Sequence, residues 1–238
     1  DAPAVVPVFN MRQQAKFVAQ RITEIAEDGM PLNEIAVLFR ARYQSAELEL
    51  ELTTRGIPYI VRGGVRFFEQ AHIKDVLAYL RIMVNQHDEL SWKRALSLEE
   101  NIGKSTAHKI WLKAVQSAKP VQELLAIDSK EIAGERAAPG LRKFLSILRE
   151  ISSEDMKKQP STAIRHIVKS GYGDFVLTTF ANAKDRLEDL EQLAVFSESY
   201  DSLEKFVTDV TLREGYRGES VMGGRLEGEA LVLTTIHQ

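Results

Sequence analysis

The strongest constraint in this chain is a change of hydrophobic period. From Ile73 to Tyr200 the apolar residues recur every three or four positions, as in Val76, Leu77, Leu80 and Val84. The same spacing returns in Leu141, Phe144, Leu145 and Leu148, and in Leu187, Leu190 and Leu193. That period belongs to amphipathic helices. On either side the texture differs. Glu34 to Phe39 (EIAVLF) and Pro58 to Val61 read as short strands separated by a helix over 44–54, and Ala230 to His237 reads as a buried strand. Strand, helix, strand at this spacing is the βαβ pattern of a parallel sheet. A helix over 10–29 precedes them, with Asn10 as N-cap and Phe17, Val18, Ile22 and Ile25 at helical spacing. The expected fold is α/β plus all-α: a partial parallel-sheet domain with a large inserted helical domain, helix-dominated overall. The helical part should hold roughly six to eight helices, broken near Pro120, Pro139-Gly140, Pro160 and Gly171. Residues 214–229 (EGYRGESVMGGRLEGE) are Gly-rich and polar, as in a surface connection.

Composition narrows the classes. With 44% apolar and 27% charged residues over 238 positions, the chain can bury a core and is not of disordered type. It has no cysteine, which excludes a disulfide framework, a thiolate metal site and a Cys nucleophile. No apolar run approaches the ~20 residues of a membrane span, and the N-terminus lacks the basic-then-apolar pattern of a secretory signal. A cytoplasmic location is the expectation. The net charge of −3 argues neither for nor against nucleic acid, because a local basic stripe can hide in a neutral total. The chain begins at Asp1 and stops just after strand texture, so it reads as a piece of a longer protein.

No catalytic centre is visible from residue types alone. His72, His87, His108, His166 and His237 are scattered without metal-ligand spacing and read as surface or interface residues. There is no G-x-x-x-x-G-K-[ST] phosphate loop, no dinucleotide fingerprint and no G-x-S-x-G elbow. Glu47, Glu49 and Glu51 read as a solvated helix face. Two features stand above this background. One is GGVRFFE at 63–69 followed by IKDVLAYLR at 73–81, which on its own could be a Gly turn, two core Phe rings and a helix. The other is Asn101-Ile102-Gly103-Lys104-Ser105-Thr106, where a helix opening after Gly exposes free N–H groups suited to phosphate. From Lys93 to Val115 the cations Lys93, Arg94, Lys104, Lys109 and Lys113 face only Glu99 and Glu100. A solvated face and a phosphate site are both open readings of that segment.

Taken in order, the pieces resemble the second motor half of UvrD/Rep/PcrA-type superfamily 1A DNA helicases. AVLFRARYQSAELE (36–49) is similar to A-[IV]-L-[YF]-R-x-N-x-Q-S-R-x-x-E of that family. IPYIVRGGVRFFEQAHIKDVLAYLRIMVN (57–85) resembles its IPY-x-x-x-GG-x-[RK]-F-[FY]-[ED]-R-x-EIKD segment. Residues 101–103 sit at its Gly-Ile-Gly, AKDRLEDLEQL (183–193) resembles R-x-E-N-L-x-E-L, and LVLTTIHQ (231–238) resembles the opening of helicase motif V. The resemblance implies a partial RecA-like 2A domain over 1–69, a helical 2B insertion over 70–225, and a return strand into 2A over 226–238. It implies single-strand DNA contacts from Arg40, Arg42, Thr235 and His237. It implies duplex contacts from Asn101, Ile102, Gly103, Lys104, Ser105 and Thr106. A 2A–2B hinge would involve Gly63, Gly64, Arg66, Phe67, Lys74 and Asp75. The parent would be an ATP-dependent helicase using ATP and Mg²⁺, with no cofactor or metal held by this segment and no ATP hydrolysis by it alone. Its partners would be single-strand and duplex DNA at a fork, with repair or replication proteins besides.

Departures from the family pattern are local. Gln70 stands for its Arg and His72 for its Glu in the junction segment, Arg42 for its Asn, and Asn101 for its first Gly. Two rival readings share the same texture: a helical protein-interaction or regulatory module, and the motor portion of a RecB/AddA-type helicase–nuclease.

Overall fold

The structure is a computed structural model, and it describes residues 2–62, 67–215 and 229–235. Its compact units are Asp1–Gln70 with Thr211–Gln238, and Ala71–Val210.

In the first unit, α1 (Met11–Glu27) starts where Asn10 accepts a hydrogen bond from the Gln13 N–H at 2.8 Å. A three-stranded parallel sheet follows, made of β1 (Ala36–Phe39), β2 (Tyr59–Val61) and β3 (Leu231–Thr235). Helix α2 (Ala46–Thr54) lies between β1 and β2 in sequence and packs on α1. The strand order is β1-β3-β2, so the strand furthest along the chain is the central one. Register pairs Ala36 with Val232 and Phe39 with Thr235 on one side, and Tyr59 with Leu231 on the other. Phe39, Tyr59, Leu231 and Leu233 meet Ala15, Ala19, Ile22, Leu48 and Leu52 in one core. The buried line of α1 is therefore Ala15, Ala19 and Ile22, while Phe17 is 44% exposed. Phe17 lies two positions from both Ala15 and Ala19, about 200° round the helix, and so faces away from that line.

The Glu47–Glu51 run also departs from a solvated face. Glu49 is buried and accepts a 2.6 Å hydrogen bond from the Ser45 hydroxyl, while Glu51 pairs with Arg55 at 2.8 Å.

The second unit is all helix. It contains α3 (Ala71–Val84), α4 (Glu89–Leu96), α5 (Lys104–Ala114), α6 (Pro120–Ala126), α7 (Ser129–Ala133) and α8 (Ala138–Ile151). After these come α9 (Glu154–Lys158), α10 (Pro160–Ile167), α11 (Gly173–Thr179), α12 (Ala183–Ser197) and α13 (Leu203–Gly215), the last crossing the unit boundary. The count among the described residues exceeds expectation because α6, α7, α9, α10 and α11 span only one or two turns. Helices that short show too little periodicity to be separated in sequence. Pro120 and Pro160 open helices at the first turn, where the missing N–H costs nothing. Pro139-Gly140 likewise lies in the first turn of α8, just after the break between α7 and α8. Gly171 also marks a break, with φ of 117° between α10 and α11. Trp92, Trp111, Phe144 and Tyr79 form the aromatic centre, with Trp92 and Phe144 ring centroids 5.4 Å apart.

Candidate nucleic-acid interface

The sheet and the helical unit each bring some of the expected DNA residues together. In the first unit, pairing of Phe39 with Thr235 sets the carboxyl ends of β1 and β3 side by side. Arg40 follows directly and is exposed. The outside of the carboxyl ends of parallel strands is where open α/β sheets take ligands. The Gln44 side chain fixes the turn there, its Oε1 accepting from the N–H of Arg40 at 3.0 Å and of Ala41 at 3.1 Å. The Arg42 backbone continues into a short 3₁₀ turn (Arg42–Ser45). His237 lies outside the described residues, as do the Gly63, Gly64 and Arg66 of the junction segment.

In the second unit, α5 begins at Gly103, whose φ of −81° and ψ of 173° are ordinary extended values, with no side chain capping the helix. Ser105 and Thr106 do not cap it. The left-handed residue is Asn101, at φ 62°, a conformation that Asn tolerates better than most residues. Ile102 is the anchor of the turn: its side chain is buried and its N–H donates to the Glu99 carbonyl at 3.2 Å. A Cβ on Gly103 would meet nothing within 4 Å, so the backbone is open to an approaching group. By contrast a Cβ on Gly140 of α8 would stand 2.5 Å from the Glu100 carbonyl oxygen. The turn thus rests on α8 through that glycine.

Electrostatics divide the basic residues of this region. Lys93 pairs with Glu89, and Arg94 donates to Asp75 at 2.7 Å. Glu99 is buried, accepts from Tyr79 Oη at 2.8 Å and pairs with Lys143 at 3.3 Å. Lys104, Lys109 and Lys113 remain exposed on α5, which carries no acidic residue, and form no ion pair among the described residues. That arrangement leaves the unspent positive charge on α5 beside the open turn.

The junction residues Lys74 and Asp75 lie on α3, the first half-buried and the second buried. Phe67 is buried edge-on to Phe68, with ring centroids 5.2 Å apart. Gln70 is buried, and its Nε2 has no hydrogen-bond partner among the described residues. Asp75 accepts from Arg94 Nε and from Tyr172 Oη, each at 2.7 Å. Burial first, and the neighbouring Asp75 carboxylate second, push the Tyr172 hydroxyl far above its ordinary pKa. Tyr79 is raised too, by burial and then by Glu99. His72, expected at a surface or an interface, is wholly buried. Arg186 reaches its Nδ1 at 2.9 Å and Asp189 lies 3.2 Å from its Nε2. A guanidinium can only donate, so Nδ1 accepts and Nε2–H donates to Asp189. These partners sit more than a hundred residues away in sequence, where no local pattern announces them. The other described histidines fit a surface reading: His108 is exposed, His87 contacts the Ser117 carbonyl, and His166 pairs with Glu150. Among the described residues no cluster of three or more His, Asp or Glu could hold a metal, and no helix is long and apolar enough to cross a membrane.

A small parallel sheet and an all-helical unit define an α/β plus all-α class of chain. Residues 1–131 match the model of the UvrD-like helicase C-terminal domain. The chain belongs to that family. It is 31% identical to DNA helicase II of Escherichia coli K12 over 207 residues, covering 81% of this chain and 27% of the relative. It is 29% identical to the ATP-dependent DNA helicase PcrA of Staphylococcus epidermidis over 217 residues, 84% of this chain and 29% of the relative. DNA helicase II of Haemophilus influenzae is 29% identical over 238 residues, 90% and 31% of the two chains. The chain thus spans less than a third of the length of these relatives.

Proposed function

We propose that this chain is the DNA-handling part of an ATP-dependent DNA helicase. Residues 1–69 and 226–238 would form part of its second RecA-like domain, and 70–225 its helical insertion. In this reading Arg40, Arg42, Thr235 and His237 line the single-strand track. The turn Asn101–Thr106 grips the duplex ahead of the fork, and 63–75 forms the hinge. ATP and Mg²⁺ belong to the parent's phosphoryl-transfer centre. This sequence has no phosphate loop to cradle ATP, and phosphoryl transfer needs cradle, metal ligands and a charge-stabilising Arg together. No step of that chemistry is therefore assigned to the residues described above.

The observation that supports the reading most is the α5 start. Its first N–H groups have no side-chain cap, Gly103 leaves the backbone clear, and Lys104 beside them forms no ion pair among the described residues. A phosphate there meets hydrogen-bond donors, the positive end of the helix and a point charge. Contacts of this kind read the backbone and carry no base information, so binding should be weak and indifferent to sequence. The test is fluorescence anisotropy of a labelled duplex across a salt series. With two or three phosphates neutralised, the log–log salt slope should be about −2 to −3. Lys104→Glu should remove most of the binding. If it binds as wild type does, the turn is only a helix start and the helical unit is better read as a protein-docking module.

A further inference from the structure

The Asn101–Gly103 turn forms one wall of an open cleft of about 570 Å³, and the opposite wall is the link between α7 and α8, Gly134 to Ala137. Arg136 on that wall is exposed, and its Nε donates to the Asn101 Oδ1 at 3.1 Å. The amide of Asn101 is itself oriented, its Nδ2 donating to Glu100 Oε1 at 3.3 Å. One edge of the guanidinium is thus committed to the turn. Neither Nη nitrogen has a hydrogen bond among the described residues. Both carboxylates that line the cleft are already matched. Glu99 is held by Tyr79 and Lys143, and Glu135 pairs with Lys130 at 3.1 Å. Beside the cleft, Glu100 has only the Asn101 amide on its carboxylate and no ion pair among the described residues, so Arg136 on one wall and Lys104 beside Gly103 on the other leave a balance of one positive charge.

A guanidinium pinned through Nε presents its Nη edge as a rigid fork, the geometry that takes two oxygens of one phosphate at once. We propose that Arg136 is a phosphodiester-binding residue, a second arm that holds the duplex backbone from the far wall of this cleft, with Asn101 as its latch. The inference rests on the duplex reading of the 101–106 turn and adds a residue that the resemblance does not supply. The arm comes from 35 positions downstream and reaches the turn because α7 packs on α5 and α8 on Glu99 and Glu100 just before it.

The test uses the whole chain, a labelled blunt duplex and anisotropy over a salt series, with circular dichroism as the check on folding. Arg136→Ala should weaken binding about five- to twentyfold at low salt and make the salt slope shallower by about one, the signature of one lost phosphate contact. Arg136→Lys should keep the slope but recover only part of the affinity, because a point charge replaces a fork. Asn101→Ala, which frees the latch, should weaken binding and leave the slope unchanged. If Arg136→Ala weakens binding without changing the slope, Arg136 only props the turn and the proposal is overturned. If it binds as wild type does while Lys104→Glu loses binding, the second arm is wrong and the turn reading stands. Should neither variant change binding, the duplex reading fails with it. A single-strand probe of the same sequence, bound equally well with equal loss in Arg136→Ala, would also overturn the assignment to duplex.

Discussion

Two glycines near the same turn should respond differently to the same substitution. Gly140 sits in the first turn of α8, where a Cβ would fall 2.5 Å from the Glu100 carbonyl oxygen and 3.3 Å from Glu99 Cβ. Alanine there gains helix propensity of up to ~1 kcal/mol. The clash is with a backbone oxygen that has no rotamer to escape into, and overpacking of this kind costs ~1–3 kcal/mol. The clash should win, giving net destabilisation of about 1–2 kcal/mol and a drop of about 3–5 °C in the melting of the helical unit. Gly103→Ala meets nothing within 4 Å, and at an N-cap Ala is worse than Gly by about 0.5–1 kcal/mol. Its melting should fall by only about 1–3 °C, less than for Gly140→Ala. Its duplex affinity should nevertheless fall, because the added methyl occupies the space a phosphate would use. Differential scanning fluorimetry and anisotropy on both variants, with wild type alongside, separate the two roles. If Gly140→Ala melts at or above wild type, the close approach of α8 to the turn is not real. If Gly103→Ala binds duplex unimpaired, its open backbone has no part in recognition.

Asp75→Ala should cost about 3 kcal/mol in urea unfolding, because it strands Tyr172 Oη and Arg94 together, whereas Tyr172→Phe should cost only about 1–2 kcal/mol. The first figure sits at the low end for a buried pair because the Arg94 side chain is 39% exposed and can turn to water. Equal costs would mean that the Arg94–Asp75 bond adds nothing to stability. Tyr79 and Tyr172 are raised in the folded chain, so the stability they contribute is complete below the unfolded tyrosine pKa of about 10 and declines as pH climbs above it. Tyrosinate absorbance should therefore show these two of the six tyrosines titrating only as the helical unit unfolds. Six tyrosines titrating smoothly in a chain still folded by circular dichroism would contradict this. Arg40→Ala should lower single-strand affinity about three- to tenfold without shifting the melting temperature, and unchanged binding would remove Arg40 from the track.

What could be seen in advance was whatever depends on neighbours in sequence. Asn10 capping α1, the apolar run that became β1, and Asn101 adopting the left-handed turn are decided by one or two residues on either side. So is the strand texture of 231–235, which needs partners on both edges and has them in β1 and β2. What was hidden depends on residues brought from afar. Glu49 and His72 look like surface residues by type, and only Ser45 for the one, Arg186 and Asp189 for the other, make their burial tolerable. Gly140 looked like a helix breaker because its reason, a carbonyl forty positions earlier, lies across the packing. Arg136 carries no local signal at all. Its use becomes visible only through the bond to Asn101.

The central position of β3 has a consequence for how this chain acquires its shape. β1 and β2 never pair with each other; both wait for Leu231–Thr235, almost the whole chain later. When synthesis has just passed Val61, β1 and β2 are present without the strand that pairs them. Much of the helical stretch after Ala71 packs between near neighbours in sequence, such as α3 with α4 and α4 with α5, and can begin to condense as it emerges, with α3 completed once α10 and α12 arrive. Formation of the sheet is thus the slow, late event, with a folded block of helices as the loop being closed. Until it happens the strand edges lie open to pairing with other chains, and crowded or high-yield expression should find this protein most vulnerable in that interval.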